Sequence, residues 1–212
     1  MIIRRPIVRT YSKFQIKCIK YLLFKFMEVI MPNYPSQYYG EQSQIDPNAA
    51  NWFNAVDADR SGEITAKEIQ KALVNVDCSE FSDEACRMMI DLFGKRNPGA
   101  VNINEFSNLF QFINQWKATF ERFDSNKNGY IEFNELVQAF QQMGYRFTPM
   151  FVQNLIAKYD SRTKRLTLDD FIIVSVRIQS LTDGFRKRDP KMKGKAKFQY
   201  EDFLGLAMGL HK

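Results

Sequence analysis

Histidine and cysteine are scarce in this sequence, and their scarcity excludes several kinds of functional site. The 212 residues include one histidine, His211, so a histidine-based catalytic triad or a histidine-rich zinc site has almost no material. The three cysteines, Cys18, Cys78 and Cys86, are odd in number and follow no metal-binding or redox spacing. This pattern favours reduced thiols and a cytoplasmic protein, and we expect no catalysis by the chain itself.

Acidic residues are absent before Glu28, whereas seven basic residues precede that position. The formal net charge of the chain is +6, but residues 27–212 carry 23 basic and 24 acidic residues. The basic character therefore belongs to the N-terminal segment and not to the rest of the chain. We do not infer nucleic-acid binding from this charge.

The sequence predicts three regions. Residues 1–31 form a basic, apolar leader, residues 32–46 form a flexible linker containing proline, tyrosine and glutamine, and residues 47–212 form the globular domain. The hydrophobic content of 45% excludes a wholly disordered chain. Asp46 followed by Pro47 predicts the first helix of the domain, because a capping side chain and a proline at the first helical position favour a helix start.

The leader admits three interpretations. On a helix, its lysines fall on one broad face and its apolar residues cover most of the rest, which fits an amphipathic helix in contact with a membrane surface. Its basic, acid-poor composition also fits a mitochondrial-type presequence. The third interpretation is an extension of the gene model, with the protein starting at Met27 or Met31. The longest unbroken apolar run in the leader, residues 21–24, is far short of the ~20 residues that a membrane span needs.

Two stretches of twelve residues repeat one spacing of oxygen-bearing side chains: residues 57–68, here named loop 1, and residues 124–135, here named loop 3. Each has oxygen side chains at positions 1, 3 and 5, glycine at position 6 and glutamate at position 12. Ca²⁺ takes about six to eight oxygen ligands, and a loop with this spacing can wrap it. The predicted ligands in loop 1 are Asp57, Asp59, Ser61, Glu63 and Glu68. The predicted ligands in loop 3 are Asp124, Asn126, Asn128, Tyr130 and Glu135.

The two loops together predict two Ca²⁺ ions per chain. The residue at position 7 contributes its backbone carbonyl, so Glu63 and Tyr130 can differ in side chain. The glutamate at position 12 starts the following helix and can offer both carboxylate oxygens. Ile64 and Ile131 at position 8 suit short β-bridges between paired loops.

Three further segments keep the frame of such a loop but lose the ligands. Loop 2, residues 94–105, has glycine, arginine and proline at positions 1, 3 and 5. Loop 4, residues 160–170, lacks the glycine and is one residue short. Loop 5, residues 189–200, keeps Asp189 and Gly194 but has lysines at positions 3 and 5, which would repel a cation. We expect these three loops to bind no Ca²⁺.

Five such helix–loop–helix units in about 165 residues resemble the penta-EF-hand family. The resemblance covers residues 44–210 and includes the strings Cys86-Arg-Met-Met-Ile90 and Gln142-Met-Gly-Tyr145. It implies an all-α fold of five EF-hand units with short β-bridges between paired loops. It also implies that the fifth hand pairs with another penta-EF-hand subunit, because an odd hand has no mate within the chain.

The resemblance implies a Ca²⁺-responsive adaptor that binds protein or peptide targets and acts at the surface of the endoplasmic reticulum or of vesicles, in transport to the Golgi. Two alternatives stay open, a non-catalytic regulatory subunit of a calpain-like cysteine protease and a simple Ca²⁺ buffer. An apolar patch on the last helix is expected at the subunit interface: Phe198, Tyr200, Phe203, Leu204, Leu206, Met208 and Leu210. A target groove has these candidate lining residues, which fit a core role as well: Phe110, Phe112, Trp116, Phe140, Met143, Tyr145, Phe147, Met150 and Phe151.

Overall fold

The computed structural model describes residues 45–160 and 162–209 of the chain. The predicted leader over residues 1–31 and nearly all of the predicted linker over residues 32–46 lie outside the described residues. Two short strands are present, β1 (Glu63–Thr65) and β2 (Ala100–Asn102). The described part contains eight helices: α1 (Pro47–Val56), α2 (Ala66–Ala72), α3 (Asp83–Phe93), α4 (Ile103–Phe123), α5 (Phe133–Gln142), α6 (Pro149–Tyr159), α7 (Leu168–Arg186) and α8 (Tyr200–Ala207).

The eight helices build five helix–loop–helix units, here named hands 1 to 5 in chain order, and this confirms the predicted fold. Helix α4 ends hand 2 and begins hand 3, and helix α7 ends hand 4 and begins hand 5. Local signals place the helix starts. The side chain of Asp46 accepts the N–H of Asn48, and Thr148 caps α6 in the same way before Pro149.

Hands 1 to 4 pair through their loops. Strands β1 and β2 are antiparallel, with Ile64 opposite Val101, and they join loop 1 to loop 2. Ile131 and Leu166 exchange two backbone hydrogen bonds of 2.9 Å, which join loop 3 to loop 4. Leu166 stands one position earlier in its loop than Ile131 does, so loop 4 is one residue short, as the sequence predicts.

Helix α4 runs through the middle of the core. Its Trp116 is fully buried and meets the ring of Phe171 on α7 edge-on, with 5.6 Å between ring centroids. The core gathers buried side chains from α1 to α7. Four candidate groove residues are buried in this core: Phe112, Trp116, Phe140 and Met143. Met150 and Phe151 are exposed on α6.

Hands 2 and 4 are tied by polar contacts as well as by packing. Asp169, which is buried on α7, accepts the backbone N–H of Ser82 at 2.8 Å, just before α3. Arg177 of α7 forms an ion pair with Glu84 of α3. Cys86 lies in this contact, where burial and then the charge of Asp169 raise its thiol pKa to about 12. A thiol in such surroundings stays protonated and unreactive.

Helix α8 is anchored by one buried side chain, Leu206, and its first turns also contact Arg188 and Phe198. Leu206 packs against Gly184 of α7, where a Cβ added to the glycine would lie 2.1 Å from a Leu206 methyl carbon. The prediction that Leu206 belongs to an exposed patch is therefore wrong. Tyr200 and Phe203 on the same helix and Met208 just after it are exposed, whereas Leu210 lies outside the described residues.

Candidate metal centres

The backbone of loop 1 is shaped by Asp57. Its two carboxylate oxygens accept the N–H groups of Ser61 and Gly62, each at 3.0 Å. Arg60 and Gly62 have positive φ values of 56° and 77°, so the chain turns back sharply around the carboxylate. Glycine suits this left-handed conformation because it has no Cβ to clash with the neighbouring carbonyl.

Three carboxylates converge at the centre of loop 1. Asp57, Asp59 and Glu68 each bring one oxygen to within 4.8 Å of the others. Ca²⁺ binds oxygens at about 2.3–2.6 Å, so ligands on opposite sides of one ion stand up to about 5 Å apart. Side-chain and backbone hydrogen bonds from Ser61 hold the pKa of Asp59 below its usual range, which keeps this carboxylate ionised. The donor set and its spacing fit one Ca²⁺.

Glu68 reaches this centre from the first turn of α2. Its Oε2 accepts the backbone N–H of Thr65 at 2.9 Å and the Thr65 hydroxyl at 2.7 Å, so the same carboxylate also caps the helix. Ser61 donates its hydroxyl to the carbonyl oxygen of Glu63 at 2.9 Å, the oxygen predicted as the position-7 ligand. The carboxylate of Glu63 faces away to loop 2 and accepts the side-chain amide of Asn97 at 2.6 Å.

Loop 3 has the same backbone shape as loop 1. The carboxylate of Asp124 accepts the N–H groups of Asn128 at 3.1 Å and Gly129 at 2.8 Å. Lys127 and Gly129 have positive φ values of 56° and 82°. Asp124 is buried, whereas Asn126 and Asn128 are exposed and offer neutral amide oxygens. The predicted side-chain ligands of loop 3 include two carboxylates, Asp124 and Glu135, where loop 1 has Asp57, Asp59 and Glu68.

Glu135 of loop 3 is engaged differently from Glu68. Its Oε1 accepts the N–H of Ser125 at 2.8 Å and that of Asn126 at 3.4 Å, and its Oε2 accepts the N–H of Glu132 at 2.9 Å. Glu105 makes the same bonds in loop 2, where Lys95 donates at 2.8 Å. In loops 2 and 3 the position-12 carboxylate therefore binds backbone N–H groups at the start of its own loop.

Tyr130 contributes to loop 3 through its backbone, and its side chain makes two contacts outside the loop. The guanidinium of Arg165 in loop 4 lies 3.6 Å from the centroid of the Tyr130 ring. The Tyr130 hydroxyl donates to Asp77 at 3.3 Å. The cation–π contact fixes loop 4 on loop 3 without a second ion.

A turn between hands 1 and 2 contacts loop 3, and sequence reasoning missed it. Residues 74–80 form a small hairpin closed by the bridge between Val74 and Glu80. Val76 packs on Gly129, where an added Cβ would lie 2.6 Å from Val76 Cγ1. The hairpin has no ligand spacing, and its only sequence signal is the turn-forming pair Asn75 and Asp77. Hand 1 thus reaches the second predicted calcium loop through this hairpin.

Loops 4 and 5 differ in how far they keep the backbone turn of a calcium loop. In loop 4, Asp160 accepts the N–H of Arg162 at 2.9 Å and binds Thr163, in a tighter turn than that of loop 1. In loop 5, Asp189 accepts the N–H groups of Lys193 at 2.9 Å and Gly194 at 2.6 Å, as Asp57 does in loop 1. Loop 5 therefore has the backbone of a calcium loop without the ligand side chains.

Family comparisons agree with this arrangement. Residues 113–175 match a family described as an EF-hand domain pair, and residues 49–74 match one described as an EF hand. These matches and the carboxylate cluster of loop 1 define an EF-hand calcium-binding protein. Five hands and the relatives described next place it more narrowly: the chain belongs to the penta-EF-hand family. The relatives peflin, grancalcin and sorcin are non-catalytic calcium-binding proteins with EF-hand domains.

Two relatives and one solved structure illustrate the similarity. The chain is 45% identical to peflin from Danio rerio over 166 residues, which are 77% of this chain and 62% of that protein. It is 34% identical to human grancalcin over 187 residues, which are 86% of this chain and 85% of grancalcin. A solved homolog of programmed cell death 6 protein from Leishmania major is 26% identical, with a TM-score of 0.67, and the match covers 84% of this chain and all of that one. The chain thus spans about three fifths of the length of the zebrafish peflin.

Proposed function

We propose that this protein is a Ca²⁺-responsive adaptor that binds two ions, in loops 1 and 3, and pairs with another penta-EF-hand subunit through hand 5. The observation that carries the proposal is the difference between hand 5 and the other four. Hands 1 to 4 are joined in two pairs by their loops, whereas hand 5 has no mate among the described residues. Exposed Tyr200 and Phe203 on α8, with Met208 just after it, support a subunit interface there.

A heterodimer fits loop 5 better than a homodimer. The lysines of loop 5 would lie near their own copies if two identical loops paired side by side, and like charges at an interface oppose association. A subunit with an acidic fifth loop would remove this repulsion. We therefore expect a related family member to be preferred over a second copy of this chain.

Native mass spectrometry tests this proposal, because it counts subunits and ions together. The chain would be measured alone and mixed with a related penta-EF-hand protein, in Ca²⁺ and in a chelator. We expect a heterodimer and two ions on this chain. A chain that stays monomeric both alone and in the mixture would contradict the pairing, and a stable homodimer that ignores the relative would contradict only the electrostatic part.

An interface variant completes the test. Tyr200→Asp/Phe203→Asp places charge on exposed positions of α8, so it should give a soluble monomer that still binds Ca²⁺. Leu206 is unsuitable for this purpose because it is buried within its own chain. The matched control is Met150→Asp/Phe151→Asp, which adds the same charge to exposed apolar residues of α6 and should leave pairing intact.

The Ca²⁺ response would start at Glu135. An ion in loop 3 would attract the Glu135 carboxylate, which now accepts the N–H groups of Ser125 and Asn126. Because Glu135 lies in the first turn of α5, this movement would shift α5 relative to α4. In loop 1 the Glu68 carboxylate accepts from Thr65 and already brings one oxygen beside those of Asp57 and Asp59, so it has less distance to cover. We therefore expect loop 1 to bind Ca²⁺ more tightly than loop 3.

A target would meet the connection between α5 and α6. Tyr145 and Phe147 stack there with 5.3 Å between ring centroids, and Phe147 continues to the exposed Phe151 at 4.6 Å. A cavity of about 610 Å³ beside them is lined by Gln141, Gly144, Arg146, Phe147 and Thr148. Movement of α5 would change this surface, which supports a Ca²⁺-dependent peptide site. A buffer would bind Ca²⁺ without any change in this surface.

We place this activity in the cytoplasm, at the surface of the endoplasmic reticulum or of vesicles, on the basis of the similarity to peflin. Among the described helices, none combines the length and apolarity needed to cross a bilayer. Imaging of the tagged protein before and after a Ca²⁺ rise would test the location. Purification of its partner would distinguish an adaptor from a protease subunit, since a protease subunit requires an enzyme in the complex.

A further inference from the structure

Loop 5 and its approach concentrate positive charge. Residues 186–200 contain seven basic residues and one acidic residue, Asp189. Asp189 is buried, and its carboxylate is occupied by the N–H groups of Lys193 and Gly194. The four lysines of the loop are all exposed. The surface of this loop is therefore basic, with its acid turned inward.

The rest of the chain has the opposite balance. Outside residues 1–26 and 186–200, the sequence has 16 basic and 23 acidic residues. Next to the loop, Arg188 pairs with Asp202 of α8 at 3.2 Å and its guanidinium lies 4.9 Å from the centroid of the Phe198 ring. The charge of Asp202 is thereby balanced, and the lysines are left to face outward. An acidic body with one basic loop attracts anionic surfaces in a fixed orientation.

Met192 places an exposed apolar side chain among the exposed lysines of this loop. It stands at position 4 of the loop between Lys191 and Lys193, with a positive φ of 51° and a side chain that is 79% exposed. The equivalent residues of loops 1 and 3 are Arg60 and Lys127, both polar. An apolar side chain held at the tip of a basic loop is suited to a surface that is anionic outside and apolar just beneath.

The loop presents this tip in a fixed shape and away from the expected subunit contact. Met192 donates its N–H to the carbonyl of Asp189 at 3.0 Å, in addition to the carboxylate bonds that hold the turn. The paired loops of this chain join through position 8, at Ile64 and Ile131. The equivalent residue in loop 5 is Ala196, so residues 191–193 lie outside such a junction.

From these observations we propose that loop 5 binds the surface of anionic membranes, with Met192 inserted among the lipid headgroups and the surrounding lysines placed over the phosphates. Each lysine near an anionic surface contributes by attraction, and the apolar tip contributes by leaving water. An acidic protein surface would attract the lysines but would offer no apolar layer to take Met192 out of water. The loop lacks metal ligands, so this binding does not require Ca²⁺.

Co-sedimentation with vesicles tests whether the lysines of loop 5 contribute to membrane binding. The full chain would be mixed, in a chelator, with vesicles of phosphatidylcholine or of phosphatidylcholine with roughly 30% phosphatidylserine, a composition typical of anionic leaflets. Lys191→Glu/Lys193→Glu, outside the expected junction, should weaken binding to the anionic vesicles at least about 30-fold, and its binding to phosphatidylcholine alone should equal that of the native protein. The matched control, Lys71→Glu/Lys117→Glu, makes the same charge change at exposed helical positions and should change binding less than about threefold.

Position 192 supplies a second readout. Met192→Trp should show a blue-shifted tryptophan emission with anionic vesicles, relative to the native protein, and quenching by brominated lipids. All variants contain residues 1–31, so only differences between them are interpreted. Equal losses in the two lysine pairs, no loss in the loop 5 pair, or no spectral change at position 192 would each overturn the proposal. Binding of the loop to polyglutamate without binding to vesicles would also overturn it in favour of an acidic protein partner.

Discussion

Loops 1 and 5 have nearly the same backbone and opposite chemistry. In both, an aspartate at position 1 accepts the N–H groups of positions 5 and 6, at 2.6–3.0 Å. In both, positions 4 and 6 have positive φ values, 56° and 77° in loop 1 and 51° and 71° in loop 5. Positions 3, 5 and 12 are Asp59, Ser61 and Glu68 in loop 1, but lysine, lysine and tyrosine in loop 5.

The comparison shows that loop shape and metal chemistry depend on different residues. The shape follows from one carboxylate that gathers backbone N–H groups and from one glycine that permits the turn. The ligand set follows from side chains that the turn merely positions. Loop 4 supports this division, because it lacks the glycine and Asp160 there gathers the N–H groups of Arg162 and Thr163 in a different turn.

The largest expected effect is the creation of a third calcium site. Lys191→Asp/Lys193→Ser/Tyr200→Glu gives loop 5 the side chains of loop 1 on a backbone that already has the right shape. We expect one additional Ca²⁺ per chain in native mass spectra, with a dissociation constant of roughly 10⁻⁵–10⁻³ M. The control omits Tyr200→Glu and should gain no ion. If the triple variant also gains none, the shared backbone is not sufficient for a site.

Removal of the position-12 glutamates separates the two predicted sites. Glu68→Ala should abolish binding in loop 1 and Glu135→Ala should abolish binding in loop 3, each by at least about 100-fold, because each removes two ligand oxygens. Calorimetry of the wild type should show two sites, and Glu135→Ala should leave the tighter one. Glu105→Ala in loop 2 is the matched control and should leave both Ca²⁺ sites intact. Three strong Ca²⁺ sites in the wild type would contradict the assignment of loops 2, 4 and 5 as non-binding. Equal affinities in loops 1 and 3, or tighter binding in loop 3, would contradict the ranking of the two sites.

Two glycines with similar φ values should differ in their tolerance of alanine. Gly62→Ala meets no atom within 4 Å and should cost about 1–2 kcal/mol of unfolding free energy, from the positive φ alone. Gly129→Ala also meets Val76 at 2.6 Å, and because Val76 is exposed and must turn away from its preferred rotamer, the change should cost about 0.5–1.5 kcal/mol more. Val76→Ala in the Gly129→Ala background should recover part of the loss. Denaturant unfolding measures all four proteins, and equal costs at the two glycines would show that the hairpin does not press on loop 3.

The smallest effect concerns the helix that enters hand 5. Burial raises the pKa of Asp183 to about 6, and its Oδ2 has no hydrogen-bond partner in the described part of the chain. The folded state then binds more protons than the unfolded state between about pH 4 and pH 6, so stability falls as pH rises through that window. Solvent screening reduces the effect, so Asp183→Asn should stabilise the protein at pH 7 by roughly 1 kcal/mol. It should also remove the fall in unfolding free energy between about pH 4 and pH 6. An unchanged pH profile would contradict the prediction.

The sequence alone predicted the five hands, because the signals are local. Aspartate, glycine and glutamate at fixed intervals specify the loops, and Asp46, Pro47 and Thr148 specify helix starts within a few residues of themselves. The missing ligands of loops 2, 4 and 5 are equally visible in the sequence. The pairing of loops 1 and 3 with their neighbours follows from the β-branched residue at position 8.

Only the tertiary structure decided features that depend on distant neighbours. Spacing treats Glu68 and Glu135 as equivalent, and both accept the N–H of position 9. Glu68 also lies beside Asp57 and Asp59, whereas Glu135 also accepts N–H groups at the start of its loop. The apolar pattern of α8 does not show that Leu206 is buried and Phe203 is exposed, because that difference is set by a glycine on α7. Side-chain burial is a property of the packed partner surface, and a sequence pattern gives only the face on which a residue stands.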